Sequence, residues 1–175
     1  MLIKEIISTS DDISESSIQS RVYRFVLNNK KFCLKHYVRY ENWEGHVLSV
    51  LDHPNIVKCY EHGIYEGYQY IILGFIEGEL LTKKNFLSSN QVGQLNNILQ
   101  YLKNKGVVHH DIKPANLIVN GDNVFLIDFG CAENIGDGKW KLKHPLGDKV
   151  NEHYGVDDDL AVQKIVEQFY KGDVK

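Results

Sequence analysis

The chain has 175 residues, 43% hydrophobic and 25% charged, values of an ordinary globular protein large enough to bury a core without staples. A net charge of −3 gives no reason to expect nucleic acid or an anionic membrane surface as a partner. No stretch approaches the ~18 uncharged apolar residues of a membrane helix, and MLIKEII is too short for the apolar region of a signal peptide. Three cysteines (Cys33, Cys59, Cys131) lack C-x-x-C spacing and sit in apolar contexts, which points to free thiols in a reducing, cytoplasmic setting.

In chain order, residues 22–26 and 31–37 read as strands joined by an Asn28-Asn29 hairpin turn. A helix is expected over 40–51, then a second hairpin, 56–64 and 68–73, turning at Glu66-Gly67. The N-terminal residues are expected to add a fifth strand. Ser88-x-x-Gln91 is a capping box opening a helix with Val92, Leu95, Ile98, Leu99 and Leu102 on one face, ended by Gly106. Two short strands, 117–119 and 124–127, flank Asn120-Gly121, and a last helix is predicted over 158–170. The pattern is α+β.

The chemistry concentrates in HHDIKPANLIV, residues 109–119, and in IDFG at the end of the following apolar run. Asp111 is followed after two residues by Lys113 and after five by Asn116, and Asp128 ends a strand. Phosphoryl transfer from a metal-bound nucleotide needs such a set. One carboxylate orients the attacking hydroxyl, a cation offsets charge near the transferring phosphate, and an amide plus a second carboxylate hold magnesium.

These residues resemble the catalytic loop and metal-binding turn of serine/threonine protein kinases, H-R-D-x-K-P-x-N followed by D-F-G. The resemblance implies a two-lobed kinase-like fold. Residues 1–76 would form a small antiparallel-sheet N-lobe with one helix, and 77–175 a truncated, mostly helical C-lobe. It implies Asp111, Lys113 and Lys35 (of Phe32-Cys33-Leu34-Lys35) as catalytic, with ATP and Mg2+ as cofactors and Asn116 and Asp128 as metal ligands. Glu44 would pair with Lys35; Glu41 competes, but Glu44 shares a helical face with Leu48. Val22 and Cys33 would roof the adenine and Ile118 floor it. Leu73 would be the gatekeeper, Gly74 and Ile76 the hinge contacts, and 74–78 the linker between lobes. Leu48, Cys59, His109 and Phe129 would stack as an apolar column, and Asp158 would brace the catalytic loop. Adjacent His109 and His110 point opposite ways on an extended loop, which argues against zinc.

The departures from the family pattern carry expectations of their own. Glu15, Ser17 and Ser20 stand where the glycine-rich loop would be. His110 replaces the Arg that reads activation-segment phosphorylation. The interval from Asp128 to Asp158 is short, without A-P-E, and Lys139 to Lys143 alternate charges along it. From Cys131 to Lys175 there is no Ser or Thr, so the segment is expected to order by packing, with any autophosphorylation falling on Ser8, Thr9, Ser10, Ser14, Ser16, Ser17 and Ser20. The size is similar to minimal kinases of viral or secreted-effector type. That likeness implies a monomer acting on a protein substrate, possibly of a host, with a partner-binding pseudokinase or a small-molecule phosphotransferase as alternatives.

Overall fold

The computed structural model describes residues 3–14, 20–38, 43–82, 84–134 and 153–172. Glu15, Ser16, Ser17, Glu41 and Lys139 to Lys143 lie outside them. A five-stranded antiparallel sheet in the order β1-β2-β3-β5-β4 is built from β1 (Asp11–Asp12), β2 (Ser20–Leu27), β3 (Lys30–Tyr37), β4 (Cys59–Tyr65) and β5 (Tyr68–Gly74). The β2–β3 turn places both Asn28 and Asn29 at positive φ, 50° and 59°, and the β4–β5 turn does so with Glu66 and Gly67. Asparagine and glycine tolerate this left-handed backbone, which matches the twist of the flanking strands. The fifth strand expected from the N-terminus is β1, pairing Asp11 with Arg24 and Asp12 with Tyr23.

The sheet register divides the side chains between two faces. Val22 pairs with Lys35 and Ser20 with Tyr37, while Cys33 and Lys35 pair with Leu73 and Ile71. Because alternate residues share a face, these line the side turned toward the main core. The opposite face carries Phe25 and Leu34, which pack with Ile6 of α1 (Ile3–Thr9). This helix is additional to the single N-lobe helix expected. The latter, α2, runs only Glu44–Ser49. Ser20 is 5% exposed and paired with Tyr37, so it belongs to the sheet and not to a phosphate loop; burial also removes its hydroxyl from the acceptors expected for autophosphorylation.

The rest of the chain is organised on α3 (Ser89–Asn104). The capping box forms as read: Gln91 N donates to Ser88 Oγ at 3.3 Å and Ser88 N to Gln91 Oε1 at 2.8 Å. Leu95, Ile98, Leu99 and Leu102 are buried, Val92 half-buried. Gly106 follows at φ 66°. Ser88→Ala should lower stability by about 1 kcal/mol, the usual value of an N-cap, measurable as a shift in denaturant midpoint.

Two short sheets carry the loops of interest. One has the order β6-β8-β9, from β6 (Glu79–Leu80), β8 (Leu117–Asn120) and β9 (Asn123–Leu126); the other pairs β7 (Val107–Val108) with β10 (Glu133–Asn134). The final helix, α4, spans Asp158–Phe169. The N-terminal sheet is stitched to β9 by residues 55–57: Leu126 N donates to Asn55 O at 2.9 Å and Val57 N to Leu126 O at 3.1 Å. That engagement explains why β4 starts at Cys59 and not at Ile56. This is the two-lobed α+β architecture that the resemblance implies. Among the described residues no helix is long and apolar enough to cross a membrane.

Candidate active site

Lys35 lies on the inner face of β3 and Glu44 opens α2, where Gly45 lets the helix approach β4 closely. A Cβ at Gly45 would stand 2.6 Å from His62 Cβ. Lys35 Nζ is 2.8 Å from Glu44 Oε2 and 2.6 Å from Asp128 Oδ1. The Glu44 side chain is fully buried, and its second oxygen, Oε1, accepts the Phe129 N–H at 3.1 Å. Burial opposes the charge on Lys35, but Asp128 and Glu44 overcome it and hold the ammonium well above its usual range. The Lys35 ammonium in turn lowers the Asp128 carboxyl to about 2, against the opposing effect of burial.

Asp128 itself has φ 61° and ψ 71°. Asp is one of the few residues that tolerate this left-handed conformation, and the turn aims its carboxylate at Lys35. The following Gly130 gives room: a Cβ there would lie 3.3 Å from Asp128 Oδ1 and 3.8 Å from Glu44 Oε2.

The loop after β7 presents Asp111. Its Oδ2 accepts from Lys113 Nζ at 2.7 Å and from Asn116 Nδ2 at 3.0 Å, and Asn116 Nδ2 also donates to the Asp111 carbonyl at 2.8 Å. Asn116 is 4% exposed, within a 3-10 turn over Pro114–Asn116. With its nitrogen committed to Asp111, the amide oxygen is the atom Asn116 can offer to a cation. The Asp128 carboxylate is 44% exposed as a side chain; an amide oxygen and a carboxylate are the hard oxygen donors that Mg2+ takes, with its remaining positions left to water and phosphate oxygens. Among the described residues no three His, Cys, Asp or Glu side chains converge as a metal cluster.

His109 and His110 are both used structurally. The buried His109 ring accepts Asp111 N–H at Nδ1 (3.3 Å), faces Ile127 O with Nε2 (3.2 Å) and stacks edge-on against Phe129 at 4.5 Å between centroids. These partners fix the Nε2–H tautomer. Burial lowers its pKa despite Asp158 and Asp128, and burial also lowers His46 and His53. A folded state that resists protons taken up by the unfolded chain loses stability as pH falls below the ordinary imidazole value of 6.5. The denaturant midpoint should therefore drop between neutral pH and about pH 5. A flat profile would contradict neutral histidines.

His110 has φ 63°. Its Nδ1 lies 3.1 Å from Val156 O and its Nε2 3.2 Å from Glu133 Oε2. Both loop amides are braced by one carboxylate: His109 N donates to Asp158 Oδ2 at 2.7 Å and His110 N to Asp158 Oδ1 at 2.9 Å.

The sheet register and the core packing place the remaining sequence-selected residues. Val22 and Cys33 are half-buried on the inner sheet face, and burial raises the Cys33 thiol to about 11. Leu73, 8% exposed, pairs with both Cys33 and Cys59. Gly74 N donates to Lys58 O at 2.9 Å, and Ile76 packs on the main core. Ile118 sits close against Gly78 (φ 138°), where a Cβ would meet Val119 O at 2.4 Å and Ile118 Cγ2 at 2.8 Å. Leu48, His109 and Phe129 are fully buried, and Cys59 packs against the same core.

Residues 19–150 match the family model for the protein kinase domain. The chain belongs to the protein kinase domain family. It is 37% identical over 106 residues to the serine/threonine-protein kinase PknJ of Mycobacterium tuberculosis, covering 54% of this chain and 18% of that protein. It is 32% identical over 129 residues to an Aurora kinase of Candida glabrata, 69% of this chain and 34% of that protein. A match to the serine/threonine-protein kinase PrkC of Bacillus subtilis is 28% identical over 133 residues, 70% of this chain and 20% of that protein. The kinase domain here thus spans well under half the length of these relatives.

Proposed function

We propose that this kinase domain transfers a phosphoryl group from Mg2+-bound ATP to Ser or Thr hydroxyls of a protein substrate, without phosphorylation of its own activation segment. The observation that carries the reading is the double carboxylate arrangement. Asp111 is clamped by Lys113 and Asn116, and Asp128 is ion-paired to a Lys35 that Glu44 also holds. Such an arrangement fixes the groups before substrate arrives, and positioning is the main contribution a protein makes to this reaction.

In this reading Asp111 orients the attacking hydroxyl and Lys113 offsets charge near the transferring phosphate. Asn116 and Asp128 would hold Mg2+, and Lys35 would meet the nucleotide phosphates. The adenine would lie between Val22 and Cys33 above and Ile118 below, against the Gly74 carbonyl and Ile76. The lobes would divide near residue 76. Bound there, Mg2+-ATP supplies the phosphoryl group and the charge neutralisation its transfer needs.

Independence from phosphorylation rests on His110. Its ring already lies against the Glu133 carboxylate and Val156 carbonyl, so an internal carboxylate stands where a phosphate would otherwise be needed. The protein, treated with phosphatase and then given labelled ATP, Mg2+ and a general Ser/Thr substrate, should transfer label at an undiminished rate. A rate that collapses on stripping and recovers after preincubation with ATP would refute the phosphorylation-independent reading. No transfer by either form would refute the enzymatic one.

A further inference from the structure

Glu44 occupies the first position of a helix of six residues, Glu44–Ser49, whose N-cap Trp43 makes no side-chain capping bond. A helix this short is marginal by itself, and its first turn is where fraying begins. Yet Glu44 must be held to a fraction of an ångström to keep Lys35 in place. The required precision has to come from contacts outside the helix.

Tyr37 supplies one that the sequence pattern did not single out. It ends β3, two residues beyond Lys35 and therefore on the same face, and is 4% exposed. Its hydroxyl donates to Glu44 Oε2, the oxygen that also takes Lys35 Nζ. Lys35 Nζ lies 5.3 Å from the Tyr37 ring centroid, within cation–π range. Burial, reinforced by Glu44, pushes the Tyr37 phenol well above its usual range, so the hydroxyl remains a donor at any working pH.

We infer that Tyr37 is a positioning residue: its hydroxyl holds Glu44 against Lys35, locking the pair in its closed arrangement without a phosphate or a partner protein. The inference rests on the kinase reading above and assigns it a built-in device. With Tyr37 and Lys35 on Oε2 and the Phe129 amide on Oε1, Glu44 ties β3 to the start of the Asp128–Gly130 turn. Loss of the hydroxyl leaves the aromatic packing intact but frees Glu44 to swing with the frayed helix start. Lys35 would then follow Asp128 alone.

Tyr37→Phe keeps the ring and removes only the donor. The expected result is a fall of about tenfold in kcat, with the Kd for Mg2+-ATP changed less than about threefold, because the lost item is alignment and not a nucleotide contact. In a Glu44→Ala background, which removes the acceptor altogether, the same substitution should have little further effect, since Tyr37 acts through that side chain. Equal effects of Tyr37→Phe in both backgrounds, or an unchanged kcat in the single variant, would overturn the proposal.

Native-state hydrogen exchange provides a measure independent of turnover. The Phe129 amide, bonded to Glu44 Oε1, and the Val47 amide of α2 should exchange faster in Tyr37→Phe than in the wild type. Unchanged protection at both would overturn the positioning role even if the wild type proved inactive. Faster exchange in an inactive wild type would leave the latch standing and reject the kinase reading.

Discussion

Asp111→Ala should abolish phosphoryl transfer while leaving Mg2+-nucleotide affinity almost unchanged, and Asp128→Asn should abolish transfer and lower that affinity as well. The two carboxylates have different surroundings, and the difference sets the expected outcomes. Asp111 is tied to Lys113 and Asn116 and, in the proposed role, touches the attacking hydroxyl. Its removal should cost the ~10²–10⁴-fold that a positioned acid–base group contributes. Asn116 is not released by the change, because its Nδ2 also donates to the Asp111 main-chain carbonyl at 2.8 Å, and that bond survives in the alanine variant. The Asn116 amide, proposed to face the metal, therefore keeps its orientation.

Asp128 gives the opposite pattern. Asparagine preserves its volume and its tolerance of the left-handed backbone at φ 61°, so the turn should persist. What disappears is the charge, and with it the proposed anionic metal ligand and the 2.6 Å partner of Lys35. Affinity for Mg2+-ATP should fall by more than the roughly 10–100-fold that losing an outer-shell partner costs a metal site. Calorimetric titration of nucleotide with and without Mg2+, beside single-turnover transfer, separates the cases. Equal loss of affinity in both variants would contradict the division of roles.

Much of this site was legible in the sequence because its parts are close in the chain and chemically particular. Asp111, Lys113 and Asn116 fall within six residues, and the clamp they form is a local turn. Hairpin turns were legible for the same reason: Asn28, Asn29 and Gly67 are residue types that accept positive φ. The capping box at Ser88 and Gln91 likewise lies within one helical turn.

What escaped depends on distant pairing. The seven residues of α1 are too few to show a period, and the Phe25 and Leu34 that they cover come later in the chain. Strands of two residues, such as β6, β7 and β10, carry no alternation to read. Tyr37 looked like the end of a strand; only the folded chain brings its hydroxyl to Glu44. Glu133 had no signal at all, since its partner, His110, lies on the far side of the metal-binding turn. The start of β4 was misjudged because Ile56 and Val57 are β-branched residues favoured in strands, but residues 55–57 bond instead to β9.

Asp158→Ala should destabilise the fold and reduce transfer by more than the loss of folded protein explains. Its carboxylate is the shared acceptor for the main-chain amides of His109 and His110, at 2.7 and 2.9 Å. Each amide left without a partner in this half-buried setting costs about 1–3 kcal/mol. The second effect is geometric. His110 is held at positive φ, a conformation that costs a residue with a Cβ on the order of 1–2 kcal/mol and that persists only while neighbouring bonds impose it. Without the brace, His110 should relax, and Asp111, the next residue, should rotate out of reach of Lys113 and Asn116. Asp158→Asn, which retains one acceptor oxygen, should fall between wild type and alanine in both measurements. Denaturant midpoints and transfer rates, taken on the same samples at a temperature where all three are folded, test the argument. A variant that loses stability but transfers phosphate at the wild-type rate per folded molecule would show that Asp158 supports the fold without positioning Asp111.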